Sequence, residues 1–329
     1  MEKLKASALS VAPMMDWTDR HCRYLHRQFS RRALLYTEMV TAPALVRGGA
    51  RHLLGHDPAE HPVAVQLGGS DPAELAEAAR IAVEEGFAEV NLNVGCPSDR
   101  VQSGCFGAVL MKQPGLVADC VAAMAARSGA EITVKCRIGV DEDEPREVLP
   151  AFLETVAGAG VRRFIVHARK AWLAGLSPRQ NREIPPLDHG LVVEMVRDFP
   201  DLSISLNGGI DTLEAARALL DRGVDGVMVG RAAYHAPHDV LARADAAIWG
   251  DATPAPSRVE VAERMRPYIA AHLAAGGRMH GVTRHMLGLF AGQPGARGWR
   301  RVLSEGGVRP GAGLEVLDAA LAEVKPMAA

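Results

Sequence analysis

No stretch of the chain approaches the run of about 18 apolar residues that a membrane span needs. Met1 to Ser10 also lacks the continuous apolar core of a secretion signal, so a cytoplasmic protein with no membrane partner is expected. Cysteine is sparse: Cys22, Cys96, Cys105, Cys120 and Cys136 are odd in number and form no C-x-x-C pair. That disfavours a disulfide framework and a cysteine zinc site, and no metal is expected. Aromatic residues make up only 5%, and the net charge of −2 carries no global sign of a polyanionic partner.

Aliphatic residues fill the gap, since hydrophobic content reaches 48% with so few aromatics, which suits a large aliphatic core. Eight short apolar runs rich in Val and Ile recur, each followed by a helical pattern. They are Val11 to Met15, Leu34 to Val40, Val63 to Gly68, Val90 to Val94, Ile132 to Ile138, Phe164 to Ala168, Ser203 to Asn207 and Gly226 to Val229. Such alternation reads as a buried parallel sheet with crossover helices. Eight units close a (β/α)8 TIM barrel of the α/β class, which takes about 250 residues. Asp71-Pro72-Ala73-Glu74 supplies an N-cap, a proline at N1 and an acidic N3 residue, and Asp211 to Glu214 repeats that logic.

After Trp249 the period changes. Residues 1–250 are expected to form the barrel, 251–257 a linker, and 258–329 a small C-terminal all-α helical domain. From Ala255 onward ten Lys and Arg stand against six Asp and Glu, a local balance of +4 that makes the tail a candidate nucleic-acid surface. A solvated helical surface would look the same by charge alone.

Barrel enzymes place their sites at the C-terminal ends of the strands, and here those ends are polar. Asn207-Gly208-Gly209 and Gly230-Arg231 close the last two strands, where barrels build phosphate sites from backbone N–H groups, a helix N-terminus and a cation. Gln66, Lys135 and His167 end strands three, five and six and converge on one volume, where a planar ring with several acceptors would suit them. A satisfied core histidine is the plain alternative for His167. Cys96 lies just past strand four, with Gly95 and Pro97 forcing a turn that holds its thiol in the mouth. A thiol with an ordinary pKa of about 8.5 stays mostly protonated near neutrality and can serve as a general acid. Cys120, within a helical apolar pattern, reads as a small buried hydrophobe instead.

Together, Ala12-Pro-Met-Met-Asp16, Gln66-Leu-Gly68, Asn91-Leu-Asn-Val-Gly-Cys-Pro97, Lys135-Cys-Arg-Ile-Gly139, His167-Ala-Arg169 and Asn207-Gly-Gly-Ile210 resemble the tRNA-dihydrouridine synthases. The segment from Arg169 to Leu187 is similar to the A-type subfamily, which acts on D-loop positions 20 and 20a of tRNA. The resemblance implies FMN as prosthetic group, NADPH as reductant (NADH as a substitute), tRNA as partner and no obligate protein partner. It implies FMN contacts from Pro13, Met14, Met15, Gln66, Lys135, His167, Asn207, Gly208, Gly209, Gly230 and Arg231, with Cys96 as the proton donor. For the tRNA, Asn93 matches a uridine-contacting position; Arg137, Gln180, Asn181, Arg182 and Glu183, and Arg297 and Arg300 in the tail, are expected to serve it too. One departure is Cys136, where A-type relatives often carry histidine; strand alternation points it away from the mouth if Lys135 points in. No strand leads into G-x-G-x-x-G and a helix in a separate βαβ unit, so one pocket would serve both half-reactions. Two competing readings are an FMN barrel acting on a small molecule, similar to dihydroorotate dehydrogenase, and a non-catalytic tRNA-binding protein.

Overall fold

The computed structural model describes residues 6–98 and 104–324. Its frame is a closed barrel of eight parallel strands in sequence order. They are β1 Leu9–Val11, β2 Leu34–Thr41, β3 Val63–Gly68, β4 Glu89–Val94, β5 Glu131–Arg137, β6 Arg163–His167, β7 Ser203–Asn207 and β8 Gly226–Val229. Closure comes from β8 pairing with β1, where Val229 lies beside Val11. Seven of the eight expected runs are strands to within a residue or so at each end, and the (β/α)8 reading holds. The first run is displaced: the ladder stops at Val11, two residues before Pro13, which has no N–H to give a neighbour. Met14 and Met15 therefore ride a loop above the strand ends, and Asp16 turns it with φ 64°.

Between strands run α1 Arg20–Arg27, α2 Ala42–Val46, α3 Pro72–Glu84, α4 Pro114–Ser128, α5 Pro145–Gly158, α6 His189–Asp198 and α7 Leu213–Asp221. After β8 come the short α8 Arg231–His235, α9 Pro237–Leu241 and α10 Ala244–Trp249. Asp71 caps α3 as its sequence promised, accepting from the Glu74 N–H at 2.8 Å. For α7 the cap is Thr212 rather than Asp211: its hydroxyl accepts from Ala215 N–H at 3.1 Å, one residue nearer the helix. Leu213, Ala216 and Leu219 then point at the sheet and are buried.

Residues 251–257 form neither helix nor strand. Beyond them lie α11 Arg258–Ala274, α12 Met279–Met286, α13 Ala296–Gly306 and α14 Glu315–Ala322. Fully buried Trp299 anchors this helical segment, packing on Phe290 and donating its indole N–H to the Met286 carbonyl at 2.9 Å. The segment is fastened to the barrel by Asp19. That carboxylate caps α1 through the His21 and Cys22 N–H groups and also takes Arg284 at 2.6 Å and His285 at 3.0 Å. Beside it, His21 Nδ1 lies 2.8 Å from the Tyr268 hydroxyl, and Tyr24 stacks on Tyr268.

Burial pushes His26 down to about 3, aided by nearby His285, and burial brings His21 down to about 4 against the opposing pull of Asp19. Folded, both stay neutral in mild acid, whereas in the unfolded chain each takes a proton near its ordinary value of about 6.5. Stability is therefore lost as pH falls below about 6.5, by at most roughly 2 kcal/mol at pH 5 for fully buried His26. Thermal unfolding should show a lower Tm at pH 5 than at pH 7; a Tm flat across that range would mean that the folded protein accepts these protons.

Candidate active site

Strand register decides which side chains meet at the barrel mouth. Gln66 pairs across to Asn91, Asn93 to Lys135, Arg137 to His167, and His167 to Asn207. Alternation sends Lys135 toward the mouth and leaves Cys136 fully buried in the apolar layer outside the barrel, as expected. The mouth opens into a cavity of about 590 Å3. All the residues expected to hold a flavin line it, as do Asn93, Cys96, Arg137 and Arg182. Residues remote in sequence thus share one volume.

Cys96 is placed by a turn built on Asn93. The Asn93 Oδ1 accepts from Gly95 N–H at 3.1 Å and from Cys96 N–H at 3.0 Å, and the Cys96 carbonyl accepts from Ala108 N–H at 2.9 Å. The thiol, half-buried, lies 3.5 Å from the Ser98 hydroxyl.

Positive charge concentrates on one side of the mouth. Burial, reinforced by Arg137, brings Lys135 down to about 8, and burial together with Arg137 and Lys135 holds His167 well below its ordinary value, hence neutral. Burial likewise lowers Arg137 to about 10, and burial and Arg231 depress both Arg169 and Arg182. Burial first, and the neighbouring positive charges second, disfavour the charged form of each of these groups, a cost that an anion placed among them would relieve. Arg169 Nε is buried without a hydrogen-bond partner among the described residues. Arg231 is held by Glu183 at 3.0 Å, and the helix it opens, α8, is only five residues long, so the phosphate site expected there rests on loop glycines and cations more than on a helix dipole. Gly208 (φ 112°) and Gly209 (φ 66°) make that loop; a Cβ on Gly208 would come within 2.6 Å of the His167 ring.

The residues proposed for tRNA divide. Arg182 faces the cavity. Asn181 does not: it is wholly buried, its amide spent on Trp172 N–H and on the Trp172 and Leu176 carbonyls, so it pins the long loop after β6 and has nothing left for a substrate. Arg137 lines the cavity but is committed to the Gly95, Lys170 and Asn181 carbonyls at 3.0 to 3.3 Å, bracing the Cys96 turn against that loop. Gln180 is exposed with its Oε1 on Ser177 N–H, and exposed Glu183 is shared between Arg231 and Arg179. Neither borders the cavity. Arg297 and Arg300 are exposed on α13, with no ion pair among the described residues. Much of the tail's charge is spent internally, since Arg258, Arg266, Arg284 and Arg301 all pair with carboxylates. Sequence reading missed the apolar walls, Trp17, Met39 and Met228, because it searched strand ends for polar groups; inward alternation along β8 was the signal for Met228.

Comparison with known proteins bears on this arrangement. The model of the family described as "Dihydrouridine synthase (Dus)" matches residues 10–325. The chain belongs to the dihydrouridine synthase family. Its relatives include the tRNA-dihydrouridine(20/20a) synthases of Vibrio cholerae, 54% identical over 96% of both chains, and of Shewanella oneidensis, 55% identical over 96% of this chain and 93% of that one. The corresponding protein of Escherichia coli is 54% identical, with 96% of this chain and 95% of that one covered. Among solved structures, an old yellow enzyme homologue from Zymomonas mobilis matches with a TM-score of 0.51 at 14% identity, covering 70% of this chain and 86% of that one. At that identity the likeness concerns the barrel fold alone. The resemblance read from the motifs thus holds, and the chain is an oxidoreductase of the tRNA-dihydrouridine synthase type.

Replacing Gly208 by alanine should be costly twice over, since it forces a left-handed backbone on a residue with a side chain and drives that side chain into His167. A loss of about 1–3 kcal/mol is expected in urea unfolding, from strain of this kind. Wild-type stability in the Gly208→Ala protein would mean the loop relaxes freely.

Proposed function

We propose that the protein reduces uridine to 5,6-dihydrouridine in the D loop of tRNA, at positions 20 and 20a, with FMN as its prosthetic group and NADPH as reductant. The observation that carries this reading is the gathering of Cys96, Lys135 and His167 on one cavity beside a glycine loop and Arg137, Arg182 and Arg231.

The residues present suit a flavin mononucleotide. Apolar Ala12, Met39 and Met228 form a floor for a flat ring, Gln66 and Lys135 offer donors to ring acceptors, and the Gly208-Gly209 loop and Arg231 line the same cavity, where they would receive a phosphate. FMN held by these residues would supply the hydride that C6 of the pyrimidine takes up. The rest of the chemistry belongs to the chain. Cys96 delivers a proton to C5 from the opposite face, as a general acid whose hydrogen is replenished from solvent. Asn93 holds the uracil edge, and neutral His167 donates or accepts without adding charge to a crowded cationic mouth. A uracil stacked in a helix cannot enter a cavity inside the barrel mouth, so the target base must leave its stack, which a loop allows more cheaply than a duplex. The choice of positions 20 and 20a follows the names of the relatives, tRNA-dihydrouridine(20/20a) synthases.

The purified protein should carry flavin absorption bands or acquire them with added FMN. Cys96→Ala should keep FMN and its reduction by NADPH, yet lose dihydrouridine formation by about 10² to 10⁴-fold, the usual worth of general acid catalysis. Full activity in this variant would remove Cys96 from the mechanism.

RNA docking is assigned to the exposed face of α13. Exchanging both Arg297 and Arg300 for alanine should weaken tRNA binding and flatten its dependence on salt, leaving flavin content intact, because each lost phosphate contact removes a released counterion. Unchanged affinity across a salt series would place the docking face elsewhere.

A further inference from the structure

Inside the barrel, below the cavity, a single file of buried side chains runs from the closed end of the fold to the Cys96 turn. Glu89, at the start of β4, is ion-paired with Arg163 of β6 at 2.5 Å, and it accepts the Tyr36 hydroxyl at 2.5 Å and the Thr133 hydroxyl at 2.8 Å. Asn91 donates to Thr133 Oγ1, Gln66 donates to Asn91 Oδ1, and Asn93 donates to Gln66 Oε1, each at 2.8 Å. Asn93 Oδ1 then accepts the Gly95 and Cys96 N–H groups. Every member is at least nine-tenths buried.

The direction of this file is not free. A carboxylate facing Arg163 only accepts, so the Thr133 hydrogen must point at Glu89, leaving Thr133 Oγ1 as an acceptor. Asn91 must therefore turn its NH2 toward Thr133 and its oxygen toward Gln66. The same logic turns the Gln66 NH2 downward and its oxygen toward Asn93. At the far end, two backbone N–H groups demand the Asn93 oxygen, so both ends impose one polarity. As each NH2 holds two hydrogens and spends one in the file, Gln66 and Asn93, which line the cavity, each keep one N–H for what binds there.

We propose that Glu89, acting through Thr133 and Asn91, is a positioning residue that sets the amide orientation of Gln66 and Asn93, so that the cavity presents hydrogen-bond donors at both and the Cys96 turn stays fixed. The ring edge meeting Gln66 and the base edge meeting Asn93 are consequently acceptors, a carbonyl oxygen or an unprotonated ring nitrogen. This inference rests on the flavin and uridine reading for the identity of the ligands, but the orientation of the file does not.

The test exchanges Thr133, which touches neither cavity nor thiol, for valine, of nearly the same shape without the hydroxyl, and for serine, which keeps it. Two readouts are taken. Amide hydrogen exchange at Gly95 and Cys96 in the ligand-free protein should quicken about tenfold in Thr133→Val and stay near wild type in Thr133→Ser, since a buried donor left without its acceptor loosens the file. FMN affinity should fall about tenfold in Thr133→Val and be kept in Thr133→Ser. Equal exchange and equal affinity in all three proteins overturns the proposal, as does equal damage by both substitutions. Should Thr133→Val fail to fold, Glu89→Gln serves in its place, because an amide in place of the Glu89 carboxylate cannot satisfy Arg163 and the two hydroxyls together; wild-type exchange and affinity there overturn the proposal equally. If the wild-type protein takes up no FMN while the exchange pattern appears as stated, the flavin reading has failed and the positioning role stands.

Discussion

Closing eight strands into a ring shuts alternate side chains away from water, and this chain puts an acid and a base there. Glu89 and Arg163 at the closed end stand each other's burial only because they are paired and because Tyr36, Thr133 and Glu131 complete their hydrogen bonding. Burial works against the Arg163 charge, yet Glu89 holds it above its ordinary basicity. Above that pair a column of amides and a hydroxyl occupies one side of the interior, beside a small apolar cluster of Leu34, Ala64, Ile165 and Met228. Outside the strands the packing is aliphatic, with Val90, Leu92, Val134 and Val166 wholly buried. The polar file and the apolar shell are thus two faces of the same strands, and period-two alternation separates them.

That alternation explains how much was legible beforehand. Runs such as Val63–Gly68 and Ser203–Asn207 were readable to the residue because glycine, proline or a capping residue brackets them. Strand ends were readable as a site because barrels place their sites at the C-terminal strand ends and these ends are polar. What sequence hid were pairings across space. Nothing in the order of residues says that Asn181, well past the end of β6, spends its amide on Trp172 and Leu176, or that Arg137 braces a turn. An Arg and an Asn near a motif look alike whether they meet a ligand or a carbonyl, and only the backbone partners tell them apart. The missing apolar walls follow from the same limit, since Met39 and Met228 differ from core methionines only in which side of the sheet they face.

Charge shows the converse. A tail with an excess of four positive charges looks like an RNA surface, yet four of its arginines are consumed by carboxylates, two of these on the barrel or its last helices. The exposed remainder on α13 is smaller than the count suggested. At the mouth the reverse holds: Lys135, Arg137, Arg169, Arg182 and Arg231 accumulate with Glu183 as their acid, a concentration that no summed charge of −2 reveals.

The Asp19 joint ties these two regions into one thermodynamic unit. Arg284 holds not only the Asp19 carboxylate but also the Asp16 carbonyl, on the same loop whose Met14, Met15 and Trp17 border the cavity, and Trp17 in turn stacks on Tyr234 next to His285. A ligand that settles against that loop and one that settles on the helical segment therefore draw on shared contacts. Reciprocity follows: whatever factor the first changes in affinity for the second, the second returns to the first.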